Sequence, residues 1–470
     1  MSGIFEKTLG SLGSLFSPVG TDVGLRNMLQ KCLNARTRRE EEWLIQDFLR
    51  HVKIKLSEPS VKPSTVTRCL AFCMFSEMLG QRADFGYIHA VKLAQNGSLM
   101  EKKMGYLACG FLLRDSDPLC VLLVNTIVRD LMSKNILIVA MSLSACCHLV
   151  PADQATVILP IFKNKSHPGL GLEFIRSKAV IALHHFFRTS PQLCRPYINR
   201  IKSLLGDTDP GMVGKVLQFL LQVTKDSPEM IVDVVPALVQ IQNQILDGKL
   251  PAEFTYKTLS APWMQVSIVR LLRCLPEATQ DVFKLLERTL QSAKPNADKA
   301  IGAAVIYECV STLVHHKAGD ELLASSLHYV ADLMSSSNSN FSYAGLCLLE
   351  MVLHQYKLPL TALQQQVVLS GLRHPDDAMK RRTLYLLCTV AEAHNAQTVC
   401  SQVLEYVRSG RCDNLHIQRD LVQQIIVLTD KFPNHQTHWH IAMLIQLLPL
   451  AQDQQARAIQ RRIQLALLAV

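Results

Sequence analysis

The chain has 14 cysteines but no Cys-x-x-Cys pair. That absence removes the commonest ligand spacing of a structural zinc site. There is no Gly-x-x-x-x-Gly-Lys-Ser/Thr or Gly-x-Gly-x-x-Gly loop to cradle a nucleotide phosphate. There is no Gly-x-Ser-x-Gly elbow to expose a nucleophilic serine. The doublets His184-His185 and His315-His316 project about 100° apart on a helix, which makes them poor chelates. The His-Trp-His stretch at residues 438–440 lacks a cysteine or carboxylate at ligand spacing. No metal, no cofactor and no catalytic group is expected, so the chain is not expected to be an enzyme. Its most apolar run, residues 136–150, is too short for a hydrocarbon layer of about 30 Å and carries Ser and His. The opening MSGIFEKTLGSLGSLFSPVG has early charges and no long apolar core, so it does not read as a secretory signal. Aromatic residues are only 6% and charged residues only 19%. The net charge of +10 is moderate and nowhere forms a polybasic tail. Nucleic acid is therefore not expected, while an acidic partner or an anionic membrane surface fits.

What is present is helix. Hydrophobic residues make up 49% of 470, and after Leu25 they recur three and four apart almost everywhere. Turn signals punctuate them: Asn96-Gly97, Asp117-Pro118, His167-Pro168, Asp209-Pro210, Ser227-Pro228 and His374-Pro375. The stretches beginning at Ser133, Ser166, Gly206 and Arg373 resemble one another, with a looser copy from Ser336. Each has a polar turn, then a helix with a small or basic residue near its start. The first three are spaced by roughly 35–40 residues, the period of two-helix repeats. Arg176, Lys178, Arg381 and Arg382 read as solvated, groove-lining or turn-capping groups. Residues 248–265, with Pro251 and Pro262, read as a loop between helix pairs. Cys69, Cys73, Cys146, Cys147, Cys274, Cys309, Cys347 and Cys388 occupy helical positions as small hydrophobes of a reducing compartment. The fold class expected is all-α, a right-handed α-solenoid of HEAT/armadillo-like helix pairs. Such stacks present long curved surfaces, so a binding scaffold is the default function. A general helical-repeat carrier of the nuclear-transport type is the alternative, with a charge-matched concave face and no small partner chain.

The wording of several stretches is more specific than the period. EEEWLIQDFLRHVK (residues 40–53), EMLGQRADFGYIHAVKLAQNGSLMEKKMGYLACGFLL (77–113), LVNTIVRDL (123–131), GKLPAEFTYKTLSAPWMQVSIVRLL (248–272) and YECV (307–310) follow one another in a known order. They resemble the trunk of a large adaptin, the long helical subunit of vesicle-coat adaptor complexes. The resemblance covers about residues 22–435. Within that family it runs to the epsilon type of the fourth adaptor complex, then to the gamma type of the first. The domains it implies are a flexible arm at 1–22, an adaptin trunk at 23–435 and a divergent helical end at 436–470. Hinge and ear domains are expected to be absent.

The resemblance implies a heterotetramer with a beta-type large chain, a medium (mu) chain and a small (sigma) chain. It implies cargo selection and vesicle formation at the trans-Golgi network, with recruitment by a GTP-bound Arf-type GTPase and a cytoplasmic location peripheral to the membrane. Matched on Phe85-Gly86 and Gly105-Tyr106, the GTPase contact of gamma relatives falls on Ile88, Val91 and Leu122. Leu119, Val121 and Leu123 are assigned to the core. The arginine that related trunks use for acidic dileucine cargo falls on Leu33, which has no charge. The phosphoinositide lysines of alpha relatives fall on Val66-Thr67-Arg68, leaving a weak anionic-lipid contact through Lys62 and Arg68.

Overall fold

The computed structural model describes residues 30–113, 117–151, 154–158, 173–356, 368, 371, 374–391, 396–408, 415–431 and 437–468. The expected arm at 1–22 and the turn at His167-Pro168 lie outside the described residues. The chain divides into two compact units, residues 1–223 and 224–470. Each is a stack of antiparallel helices, so the all-α helix-pair class holds.

The helices of the first unit that frame the surfaces below are α1 (Arg38–Leu56), α2 (Pro63–Met78), α3 (Tyr87–Asn96), α4 (Leu99–Leu112), α5 (Leu119–Leu131), α6 (Ile136–Leu149) and α7 (Glu173–Thr189). They form two layers. Helices α2, α4, α6 and α7 pack side by side in one, and α3 lies beside α5 in the other. Polar residues at the turns set the starts. Thr37 Oγ1 accepts the Glu40 N–H at 3.2 Å at the head of α1. The Glu101 carboxylate reaches back 2.7 Å to the Ser98 N–H at the head of α4. Asn135 Oδ1 accepts the Leu137 N–H at 3.0 Å before α6. Each satisfies a donor that a helix start leaves free. Gly105 lets α3 and α4 cross closely, because a Cβ there would collide with the Ala94 backbone.

The second unit contains α8 (Val235–Leu246), α9 (Pro262–Arg273), α10 (Gln280–Ala293), α11 (Ala300–His315), α12 (Asp320–Met334), α13 (Ser339–Tyr356), α14 (Asp377–Val390), α15 (Ala396–Arg408), α16 (Leu415–Lys431), α17 (Thr437–Leu447) and α18 (Asp453–Leu468). Helices α9, α11, α13, α14 and α16 pack in sequence along one layer. Helix α8 pairs with α10, and α15 with α17, in the other.

The expected loop at 248–265 is more ordered than its prolines suggest. Thr255–Tyr256 (β1) pairs antiparallel with Leu259–Ser260 (β2), and helix α9 already begins at Pro262. Lys257 makes the two-residue turn at φ 57° and Ala261 enters α9 at φ 37°. Gln265 ties this hairpin down. Its amide donates to the Ser260 carbonyl at 2.7 Å, and its Oε1 accepts from Gln242 of α8 at 3.2 Å. Gln242 also donates to Thr289 Oγ1 of α10 at 3.2 Å, so one buried polar cluster joins three helices and the hairpin.

Candidate partner-binding surfaces

The motif residues that stand out in the sequence turn inward. Lys102 of α4 places its ammonium 2.7 Å from both carboxylate oxygens of Asp130 on α5. The Tyr106 hydroxyl donates to Asp130 Oδ2 at 2.7 Å. All three residues are buried. Burial and the hydrogen bond to the Asp130 carboxylate push the Tyr106 phenol well above its ordinary range. In the second unit Glu308 of the YECV stretch holds Arg270 and Arg273 of the VRLLR stretch, at 2.5 and 3.1 Å. The basic residues expected to be solvated are also interhelical ties. Arg176 meets Asp207 at 3.1 Å, Arg382 meets Glu350 at 2.6 Å, and Arg381 meets Asp420. Lys178 donates to Ser144 Oγ at 2.8 Å. These charges meet a carboxylate or hydroxyl of a segment 31–39 residues away, before or after their own helix.

The three residues expected at the GTPase contact lie on the neighbouring helices α3 and α5 but are not presented alike. Gln95 of α3 donates to the Leu122 carbonyl at 3.3 Å, and Arg129 of α5 donates to the Gln95 carbonyl at 2.8 Å. These bonds set α3 beside α5. Ile88 is 51% exposed and Leu122 54%, whereas Val91 is 5% exposed and belongs to the core. Ile88 and Val91 lie about 60° apart around the helix, and the edge of the buried stripe falls between them. A direct surface role for Val91 is therefore corrected. The core assignment of Val121 is corrected too: it is exposed beside Leu122, while Leu123 is buried as expected. The apolar side chains that α3 and α5 turn to water here are thus Ile88, Val121 and Leu122.

Lys62 is exposed at the N-cap of α2. Arg68, also exposed, extends to Thr65 Oγ1 at 3.4 Å. Lys62 closes the α1–α2 turn and Arg68 stands on the second turn of α2. Leu33 is exposed just ahead of α1, with no charge to offer an acidic ligand.

A second surface escaped the sequence reading. On the other layer, α4, α6 and α7 enclose a groove of about 840 Å³. Met100, Leu107, Phe111, Leu137 and Phe174 line it and are all exposed. Lys178 stands over the Phe174 ring at 5.3 Å and gives the rim a positive charge. The signal was available. Helix α4 is apolar on two faces, since Met100, Leu107 and Phe111 recur at seven and four residues opposite the Ala108–Cys109–Leu112 core. A helix hydrophobic all round is either fully buried or half-covered by a partner.

Among the described cysteines all are free. Burial pushes the Cys73, Cys109 and Cys388 thiols up to about 12. No described helix is long and apolar enough to cross a membrane.

Comparison with known proteins places this geometry. The adaptin N-terminal region family matches residues 41–467. The AP-4 complex subunit epsilon-1 of Mus musculus is 33% identical over 447 residues, covering 92% of this chain and 39% of that protein. The human AP-4 complex subunit epsilon-1 is likewise 33% identical, over 92% of this chain and 39% of its own length. The Arabidopsis thaliana AP-4 complex subunit epsilon is 27% identical over 95% of this chain and 47% of its own length. This chain therefore spans less than half the length of these curated relatives. With the family matched across nearly the whole helical stack, the chain belongs to the adaptin N-terminal region family and is a large-adaptin trunk similar to AP-4 epsilon subunits.

Proposed function

We propose that this chain serves as the trunk of a large subunit in a heterotetrameric adaptor complex, a non-catalytic scaffold for cargo selection and vesicle formation. The observation that carries the reading is the adaptin match over residues 41–467, with the AP-4 complex relatives beside it. The geometry supports it. Two separate apolar surfaces on one unit, the α4/α6/α7 groove and the Ile88–Leu122 patch, suit a chain covered by more than one partner. In this reading the groove seats another subunit of the complex, and beta-type, mu and sigma chains complete the tetramer. The outer patch receives an Arf-type GTPase in its GTP form, which recruits the complex to trans-Golgi membranes from the cytoplasm. Ile88 and Leu122 make the contact and Val91 supports them from beneath. Lys62 and Arg68 add a weak anionic-lipid contact, at about 1 kcal/mol per cation too little to recruit the complex alone. Leu33 supplies no charge, so acidic dileucine cargo is not assigned to this position.

A native pull-down of the chain tests this. Co-purification of a small sigma-type chain and a beta-type chain is the expected result. A monodisperse lone chain with no such partners counts against it.

A further inference from the structure

Helix α1 turns Ile45, Leu49, Val52 and Leu56 into the core. Its opposite face carries the two most exposed large hydrophobic side chains of the described residues, Trp43 at 62% and Ile54 at 69%. They are eleven residues apart, which places them within about 20° of one another around the helix and about 16 Å apart along it. Arg50 and Asp47 fall between them, and Arg39 and Glu40 lie about one turn before Trp43, so the row carries both signs around Trp43 and turns cationic toward Ile54. Lys53 and Lys55 flank Ile54 on both sides. Residues 50–68, from the last turns of α1 to the start of α2, hold five lysines and arginines against one carboxylate, Glu58. Of the carboxylates on or beside the row, Asp47 lies 3.8 Å from His51 and Glu40 accepts the Arg36 N–H at 3.0 Å. Among the described residues Arg50, Lys53, Lys55 and Lys62 form no ion pair.

From this arrangement we infer that α1 lies flat on an anionic bilayer, with Trp43 and Ile54 inserted at the headgroup boundary and the surrounding cations over the lipid phosphates. The cations around Ile54 and along residues 50–68 match an anionic surface, and the two exposed apolar tips supply what would enter it. Trp is favoured where an apolar ring meets polar headgroups. Lys and Arg reach past the apolar tips to the phosphates, as in helices that lie in a membrane interface. The inference rests on the membrane-coat reading only for the presence of a membrane. It goes beyond Lys62 and Arg68, because it adds an apolar insertion that charge alone does not provide.

The test uses the full chain with vesicles of phosphatidylcholine, alone or with about one third phosphatidylserine, containing lipids brominated along the acyl chain. Quenching of tryptophan emission is expected with the anionic vesicles and not with the neutral ones. The folding-neutral Trp43→Phe variant should lose that quenching, since Trp263 and Trp439 lie elsewhere. Trp43→Ala combined with Ile54→Ser should lower vesicle flotation at least fivefold with an unchanged melting curve. Absence of quenching on anionic vesicles, or quenching retained in Trp43→Phe, overturns the inference. So does equal flotation of the double variant. A shift of Trp43 emission only when a partner chain is added also overturns it, since a protein then covers α1. If partners assemble but Trp43 stays unquenched, this inference alone fails. If quenching occurs but no adaptor chain co-purifies, the adaptor reading fails instead.

Discussion

Lys102 and Asp130 form a two-point contact, each carboxylate oxygen 2.7 Å from the ammonium, across the junction of α4 and α5. That junction separates the two apolar surfaces of the first unit: the groove lies on the α4 side and the Ile88–Leu122 patch on the α5 side. Breaking the pair by Asp130→Ala leaves a buried ammonium without a counter-charge. A loss of about 3–5 kcal/mol is expected, read from urea denaturation. Replacing both partners, Lys102→Met with Asp130→Leu, should recover much of it, because no uncompensated charge remains.

Gly105→Ala tests the α3–α4 crossing. The added methyl would press on the Ala94 backbone, which has no rotamer through which to retreat. A destabilisation of about 1–3 kcal/mol is expected by thermal or chemical denaturation. Gly206→Ala, where a methyl meets nothing, should fall within about 0.5 kcal/mol of the parent.

The outer patch should separate into contact and support. Ile88→Asp combined with Leu122→Asp is expected to abolish capture by a GTP-loaded Arf-type GTPase while the melting temperature stays within a few degrees, since both side chains already meet water. Val91→Asp should instead lower stability sharply, by burying an unpaired carboxylate. A folded Ile88/Leu122 variant that still binds at parental strength removes the patch from the contact.

For the groove, Leu107→Glu with Phe111→Glu should cut co-purification of a partner subunit at least tenfold. Both residues are exposed, so the isolated chain should keep its denaturation midpoint. Unchanged assembly in that variant shows that the partners sit elsewhere.

Alkaline pH provides a further measurement. Cys73, Cys109 and Cys388 are held near 12, against 9.0 for a free thiol, chiefly by burial. A thiol raised in the folded state favours folding fully below its unfolded value. The stabilisation is lost as pH rises from about 9 toward 12, because only the unfolded chain can ionise cheaply. Denaturation midpoints should fall over that window. Alkylation by iodoacetamide at pH 8 should be slow until denaturant is added.

Taken alone, the sequence determined that the chain is helical, that its helices pair through short polar turns, and that it carries adaptin wording. Apolar spacing of three and four residues admits no other regular element, and Asn96-Gly97 and Asp209-Pro210 leave few ways to turn. The wording also located the buried polar ties, although it did not show what they were: Lys102, Tyr106 and Asp130 in one unit, Arg270 and Glu308 in the other. Only the tertiary structure decided which apolar residues face water. Val91 and Val121 have the same chemistry, yet one is in the core and the other on the surface, because the packing of α3 against α5 sets where each buried stripe ends. The groove, the exposed row on α1 and the hairpin at 255–260 were likewise decided by packing. A helix reports from its own sequence that it has an apolar face, but which neighbour covers that face, and how far around, depends on helices distant in the chain.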